Sequence, residues 1–429
     1  MAGASGYDAA RRSFNAMVDR YPAIVAQPED AADVAVALRI AREQHLPLGV
    51  RGGRHSVAGH GLVDGGLVID LRRLRNVSVD ADRHRASAGG GALWSDVDGA
   101  TQAHELAVTG GTFIDTGIGG LTLGGGLGYL IGLAGLTCDN LVGAQLVTAA
   151  GQTLEVTTER DAELMWALRG GGGNFGVVTR FDYRLFDVGA MWGGETVVPL
   201  GEGAILRRYA ETQIWAPDEL TAALYIAHDA ELGPVLAIDL AWLGPEAQGE
   251  RLAKAIVGPS RVIDGGFAPM RYGDIQALGQ MPFTYRHYWK STFVADLSTE
   301  VIETIVEHVR RRPPGKSGIL IEPIHGQARR YGFDHACFPQ RTALFHVSGL
   351  GIWEDPADDA TEIAWVRGLH DRLLELGMGS TYVNYTAPDE PADRAASVYP
   401  APVFERLRRV KRRVDPDNVF RSNVNIPPA

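Results

Sequence analysis

PLGVRGGRHSVAGHG, residues 47–61, is the stretch whose reading decides the fold. PLGV is an apolar run of buried-strand length, and the chain passes from it straight into a loop carrying Gly52, Gly53, Gly59 and Gly61. Glycine lets backbone N–H groups approach a phosphate or a flat ring system with no side chain in between. The same texture returns in GGTFIDTGIGGLTLGGGLGY (110–129) and GGGGNFG (170–176), so 19 of the 53 glycines of the chain are concentrated in three short stretches. Flexible linkers are rich in serine, whereas Ile118, Leu121, Leu123, Leu127 and Tyr129 interleave these glycines and imply packing against a flat, partly apolar body. None of these glycine loops ends in Gly-Lys-Ser/Thr, which excludes a Walker A site in them. GIGGLT and GGGLGY miss the G-x-G-x-x-G spacing of a Rossmann fingerprint.

Outward from that loop, the N-terminal part alternates helices and strands. Val34, Ala37, Leu38 and Ala41 recur at i, i+3, i+4 and i+7, which predicts an amphipathic helix beginning after Pro28. LVIDL, NVSVD and RASA read as strands, ALWSDVDGATQAH as a helix, and LVGAQLVTAAGQTLEV as two strands joined at AAGQ. DAELMWALRG is a helix ending at Gly170, followed by the strand GVVTRFDYRLF. From about Met191 the texture changes to strands (GGETVVPL, TAALYIAHD, VLAIDLAWL, ALFHVSGLGIW) and long helices (ERLAKAIVG, TEVIETIVEHVRRR, ATEIAWVRGLHDRLLELG) in blocks. That pattern predicts a second sheet covered by helices on one face, and an α+β fold class for the whole. A polar loop, PDEPADRAA, then leads into a last helix, FERLRRVKRRV.

Composition narrows the function. The 429 residues allow two or three compact units of ~150 residues, and 45% apolar content supports a large core. No run reaches the ~20 apolar residues of a membrane span, and the N-terminus shows no secretory pattern. Two cysteines, Cys138 and Cys337, rule out a disulfide framework and point to a reducing, cytoplasmic setting. A net charge of −11 disfavours nucleic acid and anionic membranes. RRVKRR (408–413) is the one basic cluster that could override this balance, and it reads as a solvated helix face. His335, Cys337 and His346 have no common zinc spacing, so no metal site is expected.

Taken in order, RGGRHSVAG, the 110–129 loop, GLTCDNLVGAQLVTAAGQ, LRGGGGNFGVVTRF, RHYWKSTF (286–293), IEPIHGQARR (321–330), FPQR (338–341), YVNY (382–385) and VDPDNVF (414–420) resemble the vanillyl-alcohol-oxidase superfamily of flavoproteins. More narrowly, they are similar to its berberine-bridge-enzyme-like branch. The resemblance implies a PCMH-type FAD-binding domain over 1–188, a substrate-binding domain with an antiparallel sheet over 189–382, and a C-terminal segment, 383–429, returning to the first domain. It implies FAD held by two covalent bonds, an 8α-histidyl link at His55 and a 6-S-cysteinyl link at Cys138. Around these, Arg51, Gly52, Gly53, Arg54, Ser56 and Gly59 would cradle the pyrophosphate. Gly111, Gly117, Gly119, Gly120, Thr122, Gly124, Gly125 and Gly126 would lie along the ribityl chain and phosphates. Gly176, Val177 and Val178 would meet the adenine, with Asn140, Asn384 and Asn423 completing the site.

The same resemblance places Tyr385 as the proton acceptor with Tyr382 beside it, although a tyrosine pair at a strand edge can also be plain aromatic packing. A phenol with a pKa of ~10 needs help to act near neutral pH, and Lys290 is the candidate helper. Trp289, Lys290 and Tyr288 are expected on the substrate wall. Sugar-oxidising members carry an acid two places after the second tyrosine, where this chain has Ala387, with Asp389 further on. In parts of the family the residue three places after the cysteine, here Leu141, gates oxygen. The expected activity is oxidation of a hydroxyl or amine carbon of a sugar or secondary metabolite by hydride transfer to flavin N5, with O2 reoxidising the cofactor. A dehydrogenase with another acceptor, a non-catalytic flavin-bearing binding protein and a metal-dependent hydrolase are the alternatives. The oligomeric state is not legible.

Overall fold

The computed structural model describes residues 3–279, 283–391 and 393–429, so Ala392 of the PDEPADRAA loop lies outside the described residues. The first unit joins two main sheets and a short two-stranded pairing of Leu106–Ala107 with Phe186–Asp187. Ile24–Ala26, Leu67–Asp70 and Leu48–Arg51 form a parallel three-stranded sheet with Leu67–Asp70 in the middle. Val77–Asp80, Arg85–Gly89, Val177–Arg184, Leu141–Val147 and Thr153–Thr157 form an antiparallel five-stranded one, in that spatial order. The predicted helix is Ala31–Glu43. Asp30 caps it by accepting the Asp33 N–H at 2.8 Å, and Val34, Ala37, Leu38 and Ala41 are its buried face. The 117–126 loop holds a short helix, Ile118–Gly124, inside what reads as a plain glycine loop. Its glycines let the helix pass tightly against neighbouring backbone: a Cβ on Gly117 would lie 2.3 Å from the Gly53 nitrogen.

The second unit is an eight-stranded sheet whose principal strands are Met191–Pro199, Gly233–Trp242, Leu220–Asp229, Gly315–Pro323, Phe345–Trp353 and Arg286–Val294, in that spatial order. The stretches RHYWKSTF and IEPI, read above only as family motifs, lie in two of these strands. Helices Ala204–Trp215, Thr299–Arg310 and Asp359–Leu376 contribute to the apolar cluster that also takes Leu224, Ile238, Ile321 and Val347 from the sheet. The opposite face carries Asp239, Glu322, His346, Ser348 and Trp289 and turns toward the first unit. Side chains alternate along a strand, and this alternation decides much of the site.

Helix Ala401–Val414 returns to the first unit, where Leu407 and Val410 join the cluster of Leu164, Met165 and Leu168. Its basic run is not wholly a solvated face, because Lys411 is 0% exposed. Burial pulls its pKa down, and its Nζ donates to Asn174 O (2.8 Å), Asp415 Oδ2 (2.6 Å) and Phe420 O (2.9 Å). The Lys sits at the helical position that faces the core, so it staples two loops rather than meeting solvent. Lys411→Met should strand the Asp415 carboxylate and lower stability by about 3–5 kcal/mol, read from the denaturant midpoint. A loss below about 0.5 kcal/mol, ordinary for a surface change, would return Lys411 to the surface reading.

Candidate active site

The strand Leu48–Arg51 delivers the 52–56 loop to the rim of a cavity of about 290 Å³ between the two units. A Cβ on Gly53 would lie 2.4 Å from the Gly117 nitrogen, so two glycine loops meet here backbone to backbone. Arg54 has φ +66°, a left-handed conformation uncommon for a non-glycine residue. Arg51, Gly52, Gly53, Arg54, His55 and Ser56 line one wall, and Gly111, Gly117, Gly119 and Gly120 line the next. Gly176 and Val178 lie toward one end with Asn423, while Trp289, Tyr382, Asn384 and Tyr385 lie on the wall from the second unit and the C-terminal segment. The Arg51 guanidinium is committed to Asp70 (Nε 3.0 Å, Nη2 2.7 Å) and to the Ala10 carbonyl, so it braces the loop.

Several expected residues are not on the cavity, each for a local reason. Cys138 is one of them. It is 0% exposed, and its N–H bonds to Gly125 O (2.8 Å), which ties it behind the glycine turn. Its thiol lies among Leu127, Ile131, Leu136 and Phe338, and burial drives its pKa well up. The neighbours of Cys138 in the Gly-Leu-Thr-Cys-Asp-Asn segment are bound into the fold. Asp139 is gripped by Arg341 (2.7 and 2.8 Å), and Asn140 bonds Ala134 O and Leu136 O (both 3.0 Å). Gly124, Gly125 and Gly126 pack on Asn384, Phe338 and Thr137, and Thr122 bonds the Tyr183 hydroxyl at 2.7 Å. Gly59 turns against Val18, and Val177 points into the cluster of Leu38 and Ile69.

The alternation of Arg286–Val294 sorts the substrate-wall residues. Trp289 faces the cavity, but its neighbours Tyr288 and Lys290 face the other side of the sheet. Tyr288 bonds Asp389 (2.9 Å), whose carboxylate also pairs with Arg367, and Lys290 pairs with Glu390. Neither Lys290 nor Asp389 can therefore activate Tyr385. Leu141 is buried in the core of the first unit, its carbonyl bonded by Arg169 (2.8 Å), and does not line the cavity it was expected to gate. His335, Cys337 and His346 take separate partners: Asp139 O, the carbonyls of Ala167 and Arg169, and Glu322.

Tyr382 is pinned as an acceptor, from Gly126 N–H (2.8 Å) and from Asn384 Nδ2 (2.9 Å). Tyr385 stands edge-on to Trp289, with ring centroids 5.3 Å apart, and burial raises its pKa well above the usual phenol value. The next cause is the negative charge of Glu322, while a hydrogen bond with Thr112 works the other way. Behind Tyr385 lies a pair that the sequence reading missed: His346 Nδ1 is 2.9 Å from Glu322 Oε2, both residues are buried, and the His346 ring is 5.3 Å from that of Tyr385. The two residues stand opposite each other on adjacent strands, 24 positions apart in the chain, and no local motif links them.

At the other end, His60 lines the cavity with Phe420, Ser422 and Asn423. Its Nε2 is buried with no hydrogen-bond partner among the described residues, and burial followed by the charge of Arg20 brings its pKa down to about 4. A neutral imidazole with an unmet nitrogen, backbone-lined glycine walls and an aromatic end fit an elongated ligand with a phosphate middle, as FAD has.

Comparison with known proteins agrees with that fit. Residues 22–157 match the family model for an FAD binding domain, and residues 381–427 match the model described as berberine and berberine like. An FAD-linked oxidoreductase of Aspergillus terreus, pgmH, is 40% identical over 471 residues, covering 99% of this chain and 92% of that protein. The crystal structure of 6-hydroxy-D-nicotine oxidase from Arthrobacter nicotinovorans superposes with a TM-score of 0.90 at 28% identity, over 100% of this chain and 97% of that one. Glucooligosaccharide oxidase from Acremonium strictum, described with a 6-S-cysteinyl, 8α-N1-histidyl FAD, has the same fold, with a TM-score of 0.87 at 24% identity over 100% of this chain and 96% of that one.

Proposed function

Because the chain belongs to the berberine-bridge-enzyme-like FAD-linked oxidoreductases of the vanillyl-alcohol-oxidase superfamily, we propose that it is an oxidase of an amine-bearing small molecule with FAD attached through His55 alone. The position of Cys138 behind the glycine turn supports a single attachment. Bound FAD supplies the two-electron acceptor and, in an oxidase, passes the electrons to O2. The chain's own work is to orient the substrate and to take its proton. Trp289 and Tyr385 offer an aromatic wall for the substrate, and Tyr385, hydrogen-bonded to Thr112, takes the proton. The buried Glu322–His346 pair stands behind as its electrostatic partner.

The observation that carries the preference for an amine is the sign of the charge around Tyr385. Glu322 acts on it, and Lys290 is turned to the far face of the sheet. A negative field favours a group that arrives as a cation and resists an alcohol that must build negative charge. The nicotine-oxidase relative acts on an amine-containing substrate by its name, which agrees with this reading. A panel of secondary and tertiary amines and of oligosaccharides tests it. Amines should discharge the yellow colour anaerobically and give one hydrogen peroxide per turnover in air. Activity confined to oligosaccharides would overturn the amine reading, and turnover without peroxide would make the enzyme a dehydrogenase.

A further inference from the structure

Asp115 lies in the glycine loop that faces His55, and its Oδ2 is 3.3 Å from His55 Nε2. The contact is within ion-pairing range but off the ring N–H axis, and the buried Nε2 makes no hydrogen bond among the described residues. The His55 side chain is 12% exposed and that of Asp115 41%. The imidazole cannot swing away. Phe14, fully buried, stacks on one of its faces at 4.6 Å and 21°, and Phe283 meets its edge at 5.2 Å and 87°. The far face of Phe14 is stacked on His287 at 4.2 Å and 22°. Phe14 is itself fastened to both units: its N–H donates to Arg54 O (3.2 Å), and the neighbouring Asn15 Nδ2 donates to Val57 O and His287 O (both 2.7 Å). An N-terminal segment thus holds the plane of one histidine, with a carboxylate set at one of its two nitrogens.

We propose that Asp115 is the positioning residue for attachment of the flavin to His55, a reading that rests on the His55 linkage proposed above. A carboxylate at Nε2 selects the tautomer with its proton there and leaves the Nδ1 lone pair as the nucleophile. A new bond from Nδ1 to the methyl carbon on the flavin ring costs one proton from Nε2 and one from the methyl group. Two electrons leave at the same time, and dioxygen takes both, departing as hydrogen peroxide with the two protons. Asp115 receives the Nε2 proton as the bond forms, which spares the ring a buried positive charge. Phe14 keeps the ring from rotating out of line.

The test is the time course of acid-stable flavin after freshly purified protein is mixed with excess FAD, for wild type, Asp115→Asn and Asp115→Glu. Asp115→Asn should bind FAD stoichiometrically without a covalent bond and attach it ~100-fold more slowly, the usual size of a lost proton acceptor. Raising the pH should speed that variant, and Asp115→Glu should recover most of the rate. Attachment in Asp115→Asn at the wild-type rate overturns the proposal. Failure of that variant to bind FAD, or a glutamate no faster than the asparagine, overturns it too, because Asp115 would then serve binding or folding. A colourless wild-type pellet would remove the His55 linkage itself. Substrate turnover enters none of these readings, so the oxidase proposal stands or falls separately.

Discussion

His55→Ala is expected to move essentially all of the flavin from the acid-precipitated pellet into the supernatant, while Cys138→Ala leaves the pellet as yellow as the wild type. The contrast follows from where the two side chains stand: His55 is on the cavity wall, and Cys138 is sealed behind Gly125. His55→Ala should still bind FAD, since Gly52, Gly53, Gly117 and Gly119 contribute backbone rather than side chains. Its stability then becomes a matter of mass action. Adding FAD at 100 times its dissociation constant should stabilise the variant by about 2.7 kcal/mol, whereas the wild type, with its ligand tethered, should not respond. The pair of readouts is stringent. Flavin retained by His55→Ala and lost by Cys138→Ala would reinstate the cysteine, and flavin lost from the wild type on acid treatment would remove covalent attachment altogether.

What the sequence disclosed and what it withheld divide along a physical line. Backbone-borne features were legible: the glycine loops needed no side-chain context, and the strand before RGGRHS and the helix after Pro28 are local patterns of period 2 and 3.6. Facing direction was not. Tyr288, Trp289 and Lys290 are consecutive letters, yet only the middle one reaches the cavity, because side chains alternate along their strand and the sheet is covered on both faces. Motif spacing likewise placed Cys138 near the loops without revealing on which side of the Gly125 turn its sulfur lies. Glu322, His346 and Asp115 were invisible for another reason. Each acquires its meaning from a partner 24 to 60 positions away, brought close by strand pairing or loop contact that no local period encodes. Lys411 shows the same limit in reverse, as one residue of a basic run that the helix turns inward.

Tyr385→Phe is expected to keep the flavin colour and its acid stability while slowing anaerobic loss of colour by substrate at least ~100-fold, the lower end of what a proton acceptor contributes. The substitution deletes one oxygen and preserves the ring, so the edge-on contact with Trp289 and the tilted contacts with His346 and Tyr382, all at 5.3 Å, should persist. The neutral phenol is the resting form, because burial, Glu322 and Tyr382 all push its pKa up and only the Thr112 hydrogen bond opposes them. The two charge states then differ in what they ask of pH. A resting phenolate would make the rate insensitive to pH near neutrality. A protonated resting phenol makes it rise toward alkaline pH, and that alkaline limb should vanish in Tyr385→Phe. Glu322→Gln removes the charge that raises the phenol's pKa, so the limb should move to lower pH without loss of flavin. Wild-type rates in Tyr385→Phe would take the proton transfer away from Tyr385 and leave the buried Glu322–His346 pair to inherit it.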